Sequence, residues 1–212
     1  MSDRGGSGAI LVGLALSALA LTLAPLLMPD SYSWIVNTTS ESAAQGVSGA
    51  WLARLGLGTF GLAVLALAWS HPLWSPAARY AHIGFGVLMT VTAVASTKPW
   101  VAGIPFDTAE DQIHSFAATA MGFAFAFGIV AVVLGNRGSR RPVRALDVIA
   151  ILASIFIPLS MTVLPEYAGI LQRLMFVVAY VWYALAARES WQVLRQPGRT
   201  PLLSPPGHSL EP

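Results

Sequence analysis

Residues 8–28 read GAILVGLALSALALTLAPLLM, and this uncharged run decides the fold class. A hydrocarbon core of roughly 30 Å is crossed by about 20 predominantly apolar residues in a helix. Within lipid, every backbone N–H and C=O must be paired inside the segment, so such a run is a helix and not a strand. Five more stretches meet the same demand, at 49–70, 78–96, 113–134, 145–163 and 168–187. The shorter alternating segments of an outer-membrane barrel are absent from the pattern. The expected fold is therefore all-α, a polytopic bundle of six transmembrane helices forming one domain over 1–190. Pro, Gly and Ser crowd the chain from Gln196 onward, so 191–212 is expected to be a disordered cytoplasmic tail. A cleaved signal peptide is the rival reading of the first run, because Arg4 precedes it and Ala18-Leu19-Ala20 lies within it. Signal cores span about 7–15 apolar residues, whereas this one continues through Pro25 to Met28, which favours an uncleaved span.

Composition agrees. Of the 212 residues, 55% are hydrophobic and only 10% charged, where a soluble domain carries about 25% charge. With so few charges a water-soluble surface could not be covered, and a lipid-facing one needs none. The absence of cysteine excludes disulfides, thiolate nucleophiles and cysteine-held metal centres. Lys98 is the single lysine among 12 basic residues, a preference that suggests a GC-rich bacterial coding sequence. The arginines flank spans, where headgroups and topology account for them; no nucleic-acid partner is indicated.

Those arginines also set an orientation. With the N-terminus inside, the inner segments hold Arg4, Arg79, Arg137, Arg140, Arg141, Arg144, Arg188, Arg195 and Arg199, leaving Arg54, Lys98 and Arg173 outside. The positive-inside rule then places both termini in the cytoplasm and the protein in the inner or plasma membrane. Asp30, Glu41, Asp107, Glu110, Asp111 and Glu166 all fall on the outer side. Two outer loops are long, 29–48 and 97–112. Ser48 is the expected cap of the second span, and Thr108-Ala109-Glu110-Asp111 reads as an acidic capping box opening the fourth. Pro158 is expected to kink the fifth.

Ionisable groups at membrane depth are costly and mark candidate sites. Arg54, His114 and Arg173 lie near outer helix ends, close to the outer acids. Asp111 and Glu110 precede His114 by three and four residues, so either carboxylate can meet the imidazole on one helix face and orient a general base. Arg173 can pair with Glu166 or Glu41, and Ser40 becomes a candidate nucleophile if it folds over His114. Structural uses compete with each of these. An arginine one turn inside a span commonly snorkels or forms a structural ion pair, His114 can be a cap-adjacent side chain bonded to Asp111, and His82 reads as an interfacial histidine. Tyr180, Trp182 and Tyr183 read as an inner-interface anchor. His114 with Asp111 or Glu110 offers two metal ligands where catalytic zinc uses three, so no metal is assigned. Gly56-Leu57-Gly58-Thr59-Phe60-Gly61 matches a dinucleotide fingerprint but lies inside a span, so no cofactor is assigned either.

Ser40-Glu41 after an interfacial first loop, Asp111 with His114 opening span four, and Gly169-Ile170-Leu171-Gln172-Arg173-Leu174 opening span six together resemble the bacterial and archaeal membrane family called domain of unknown function 998. The likeness runs from about Gly8 to Ala187 and extends distantly to six-helix membrane proteins of the Frag type. It implies a compact six-helix bundle and no established activity. Ser42-Ala43-Ala44 follows Glu41 where that family more typically has a glycine-rich turn.

The preferred reading is a polar pocket at the outer face lined by Glu41, Arg54, Asp111, His114 and Arg173, with Ser40 beside it. Its arginines would hold, and His114 with Asp111 would modify, a lipid headgroup or other amphiphile. Two alternatives stand beside it: a small-solute or proton-coupled transporter, its polar path continuing to His82 and Asp147, and a non-enzymatic subunit or scaffold. Membrane lipids are the expected partners, and oligomeric state is left open.

Overall fold

In a computed structural model of the chain, residues 3–135 and 143–195 are described, with side chains for 6–135 and 143–193. Six helices carry them: α1 (Asp3–Leu23), α2 (Ala50–Ser70), α3 (Pro76–Val94), α4 (Thr108–Gly135), α5 (Ala145–Val163) and α6 (Ala168–Arg195). All six are long and apolar enough to cross a membrane. No strand occurs among the described residues. Arg137, Arg140, Arg141, Arg199 and the tail beyond Arg195 lie outside the described residues. The last helix runs past Ala187, where the apolar stretch ends, so 191–195 is helix rather than tail.

Local sequence explains the helix boundaries. Pro25 ends α1, whose chain continues as a 3-10 turn over Ala24–Leu27, because proline lacks the amide an α-turn needs. Ser75 accepts a hydrogen bond from Ala78 N and Pro76 occupies the first turn of α3, a standard helix start. Two expected caps prove different. Helix α2 begins at Gly49, whose φ of 81° is left-handed; a Cβ there would collide with the Leu27 carbonyl, so glycine replaces Ser48 in that role. Helix α4 is capped by Asp107, whose Oδ1 accepts from Ala109 N at 2.7 Å and Glu110 N at 3.2 Å. Thr108 is thus already helical, and Glu110 and Asp111 are released for other work. Helix α5 continues unbroken through Pro158.

Each helix packs on its neighbours in sequence, and α1 closes the ring against α6. Small residues set the tight seams. Gly61 and Gly86 face each other across α2 and α3, and a Cβ on either would run into the other's carbonyl oxygen. Such close backbone approach is how helices associate where no hydrophobic drive exists. Across α1 and α2, Ser17 Oγ donates to Gly56 O at 2.6 Å and bonds Tyr180 Oη of α6 at 2.5 Å. Phe60 stacks on Tyr180 with ring centroids 4.2 Å apart, and Phe85, Phe125, Phe176 and Tyr183 complete an aromatic layer at mid-bundle. The outside is the reverse of a soluble protein: Trp51, Leu62, Phe116, Phe123, Phe127 and Val163 are all exposed. Trp51 and Trp69 sit at opposite ends of α2, about 27 Å apart along its axis, which matches two aromatic interfaces around a hydrocarbon slab.

Candidate functional site

One end of the bundle, the loop end, gathers segments 28–49, 95–107 and 164–167. The sequence-derived candidates all stand there, yet among the described residues no hydrogen bond or ion pair joins any two of Ser40, Glu41, Arg54, Asp111, His114 and Arg173. Each is instead used to hold backbone. Arg54 donates to the carbonyls of Ala43 and Ala44, both at 3.0 Å. Arg173 donates to Trp34 O, Asn37 O and Gly169 O within 2.9 Å and to Tyr32 Oη at 2.6 Å. It lies over the Trp34 ring at 4.8 Å. The expected ion pairs of Arg173 with Glu166 or Glu41 are therefore replaced by a carbonyl clamp. A guanidinium suits this because its donors fan out in one plane. Gly169 makes the clamp possible, since a Cβ there would strike the Trp34, Ile35 and Asn37 carbonyls. Burial pushes the Tyr32 phenol above its ordinary range, against the pull of the adjacent Arg173 charge.

The carboxylates behave alike. Glu41 accepts from Thr38 N and Thr38 Oγ1. Glu110 accepts from Ser96 N at 2.6 Å, and Asp111 from Lys98 N and Thr97 Oγ1. The expected Asp111–His114 pair is not formed: His114 Nδ1 meets Ala95 O at 2.8 Å. A carbonyl can only accept, so Nδ1 carries a proton in this bond, and in the neutral ring Nε2 is the acceptor. That Nε2 is buried without a partner among the described residues. Sequence reasoning overlooked Gln45, which ties the two long loops: its amide donates to Ser96 O and Asp107 O and accepts from Asp107 N. A neutral amide in a loop carries no cost signal of the kind that exposes an arginine within a span. Arg54, Gln45, Asp107 and Glu110 also line a shallow polar depression of about 480 Å³.

A second cavity starts at this end and descends into the bundle. It measures about 590 Å³ and is bounded by α2, α3, α4, α5 and α6. From Ala168 to Ala179 on α6 it spans about 16 Å of depth. Helices α4 and α5 pack sparsely, and Thr119, Phe123, Ile155, Leu159 and Thr162 line the cleft while remaining exposed, so its flank opens sideways at membrane depth. Four of the six methionines, Met89, Met121, Met161 and Met175, form its wall; thioether side chains adapt readily to irregular guests. Ser40 and Gln172 stand at its mouth, where Ser40 N donates to Gln172 Oε1 at 3.1 Å. Gln172 enters the sequence reading only as part of the Gly169–Leu174 motif and not as a site candidate, beside the more conspicuous Arg173.

The opposite end holds a different polar group. His82 is fully buried, not interfacial; it lies between Trp74 and Trp182 at centroid distances of 4.4 and 4.9 Å, and its Nδ1 meets Tyr183 Oη at 3.0 Å. Trp182 Nε1 donates to Asp147 Oδ1 at 2.9 Å. Trp182 and Tyr183 are thus core residues rather than an interface anchor, and Asp147 fixes α5 to α6. Gly128 gives the imidazole its space, since a Cβ there would touch the ring. Among the described residues no three His, Asp or Glu side chains gather as a metal site.

Six apolar helices, an oily exterior and an interior tied by buried polar bonds define a multi-pass membrane protein. The chain belongs to the family described as "Protein of unknown function (DUF998)", which matches residues 11–189. No curated protein and no solved structure shows a significant match.

Proposed function

We propose that this protein binds a membrane amphiphile, holding its apolar part in the cleft between α4 and α5 and its polar end at the Ser40–Gln172 mouth. The lateral opening of an apolar, methionine-walled cavity at membrane depth carries this reading. Its volume lies in the range of about 300–1,000 Å³ usual for ligand sites. The arginines support it indirectly. Committed to loop carbonyls, Arg54 and Arg173 brace the mouth rather than grip a phosphate. A transport path has less in its favour, because the aromatic layer of Phe60, Phe85, Phe125 and Tyr183 stands between the cleft and the Asp147–His82 end. Modification of the bound molecule rests on the free Nε2 of His114, one turn along α4 from cleft-lining Ala118.

The test is photolabelling in nanodiscs by a lipid carrying a diazirine on its acyl chain. Adducts are expected on Met161 and Met175, and Gly122→Trp, which projects a ring into the cleft, should abolish them while the protein stays monodisperse. Adducts spread evenly over the outer faces of α1 and α2 would sink the proposal. The mouth is assigned to the outer side of the plasma membrane, with both termini cytoplasmic, on the strength of arginine placement. Because the chain lacks cysteine, Ser31→Cys should react with an impermeant maleimide on intact cells and Ala77→Cys should not; the reverse result inverts the orientation.

A further inference from the structure

From the donors left uncommitted at the mouth, we infer that the ligand's head is uncharged, a hydroxyl or ester carbonyl on a long chain rather than a phosphate or an ammonium. This deepens the amphiphile-binding proposal and rests on it. The argument comes from what the cleft's polar atoms already do. Thr92 donates to Met89 O, Thr119 to Ser115 O, Ser154 to Ala150 O and Thr162 to Leu159 O. Each hydroxyl has turned back on its own helix, as Ser and Thr do in apolar surroundings, and presents little to a guest. Two lining groups remain. Gln172 Oε1 accepts from Ser40 N, and the amide nitrogen, a donor, makes no bond among the described residues. Ser40 Oγ likewise makes none there.

No charged side chain lines the cleft. A phosphate drawn into it would leave water without a cation to meet it, and an ammonium without an anion, so either charge would be desolvated unpaired. The guanidinium next in sequence to Gln172, on Arg173, is spread over three carbonyls and a phenol. A carbonyl or hydroxyl oxygen, by contrast, requires only the Gln172 amide as donor, and a hydroxyl can donate a hydrogen bond to Ser40 Oγ. The head would sit at the loop end while its chain follows α6 toward Ala179.

The experiment compares two photoactivatable probes with identical acyl chains, diacylglycerol and phosphatidic acid, in nanodiscs of one phosphatidylcholine composition. Diacylglycerol is expected to label the cleft at least tenfold more than phosphatidic acid. Gln172→Leu, which keeps volume and removes the donor, should lower diacylglycerol labelling by about fivefold, the equivalent of one hydrogen bond. Gln172→Glu should lower it further without favouring phosphatidic acid. Labelling of the cleft by both probes equally, each blocked by Gly122→Trp, overturns the neutral-head inference and leaves the amphiphile proposal standing. Labelling by neither above the level of Gly122→Trp overturns both. Since Gln172 also holds Ser40 N, proteolysis of the 29–48 loop is followed in each variant. If Gln172→Leu loses labelling only together with loop protection, while Ser40→Ala changes neither, the amide is a brace and the inference fails.

Discussion

The seam between α2 and α3 and the seam between α4 and α5 are built from equally apolar helices, yet one is shut and the other gapes. At the first, Gly61 lies against Gly86 and Thr90, so the backbones themselves touch and no guest could enter. At the second, Gly122 has nothing within 4 Å of where a Cβ would stand, and the facing surfaces carry Met121, Phe123, Ile155, Leu159 and Met161. Lipid is as oily as these side chains, so oiliness cannot draw two spans together. What closes a seam is the pairing of small residues in register on both partners. Helix α4 offers Gly122, but α5 has no glycine at all. A seam without that match stays available to a guest.

This contrast can be broken from either side. Exchanging Gly86→Leu should have the largest effect: its side chain meets the Gly61 carbonyl and Leu65, with no room to retreat. A loss of about 3 kcal/mol is expected, read as aggregation on size exclusion or a sharply lower melting temperature in detergent. Gly61→Ala asks for one methyl where Thr90 Oγ1 and Gly86 O stand, and should lower the melting point by a smaller step on the same instrument. Gly122→Leu should do least. It enters open space and gains up to about 1 kcal/mol of helix propensity, so the melting temperature should hold or rise while lipid labelling falls. A melting loss equal to that of Gly86→Leu would mean that the two seams are alike.

Span number, span position and the bundle class were readable in the sequence because the oily runs are long and the bilayer sets their length. The boundaries were less so: Asp107 and Gly49 took the capping roles assigned to Thr108 and Ser48, since a cap depends on local backbone angles that neighbouring polar residues do not disclose. The candidate cluster was legible in place but not in partnership. Arg54, Asp111, His114 and Arg173 stand at the expected end, yet each turned to backbone rather than to an opposite charge. Spacing of three or four says that Asp111 can reach His114; it does not say that Thr97 and Lys98 offer better geometry. His82, Trp182 and Tyr183 were misread for a related reason. Aromatic and imidazole rings suit an interface and a tight core equally, and only the packing of α2, α3, α4 and α6 decides between them. The cleft left no sequence signal, because an empty space is a relation among five helices.

The contact between the first helix and the last has a consequence for biogenesis. Ser17 of α1 finds Tyr180 of α6, and the early 29–48 segment is held by Ile170, Gln172 and Arg173. During synthesis those early parts must wait, lodged in the membrane without their partners, until α6 has left the ribosome. Neighbouring spans such as α1–α2 and α2–α3 can pair as they emerge, but the ring closes only when α6 arrives.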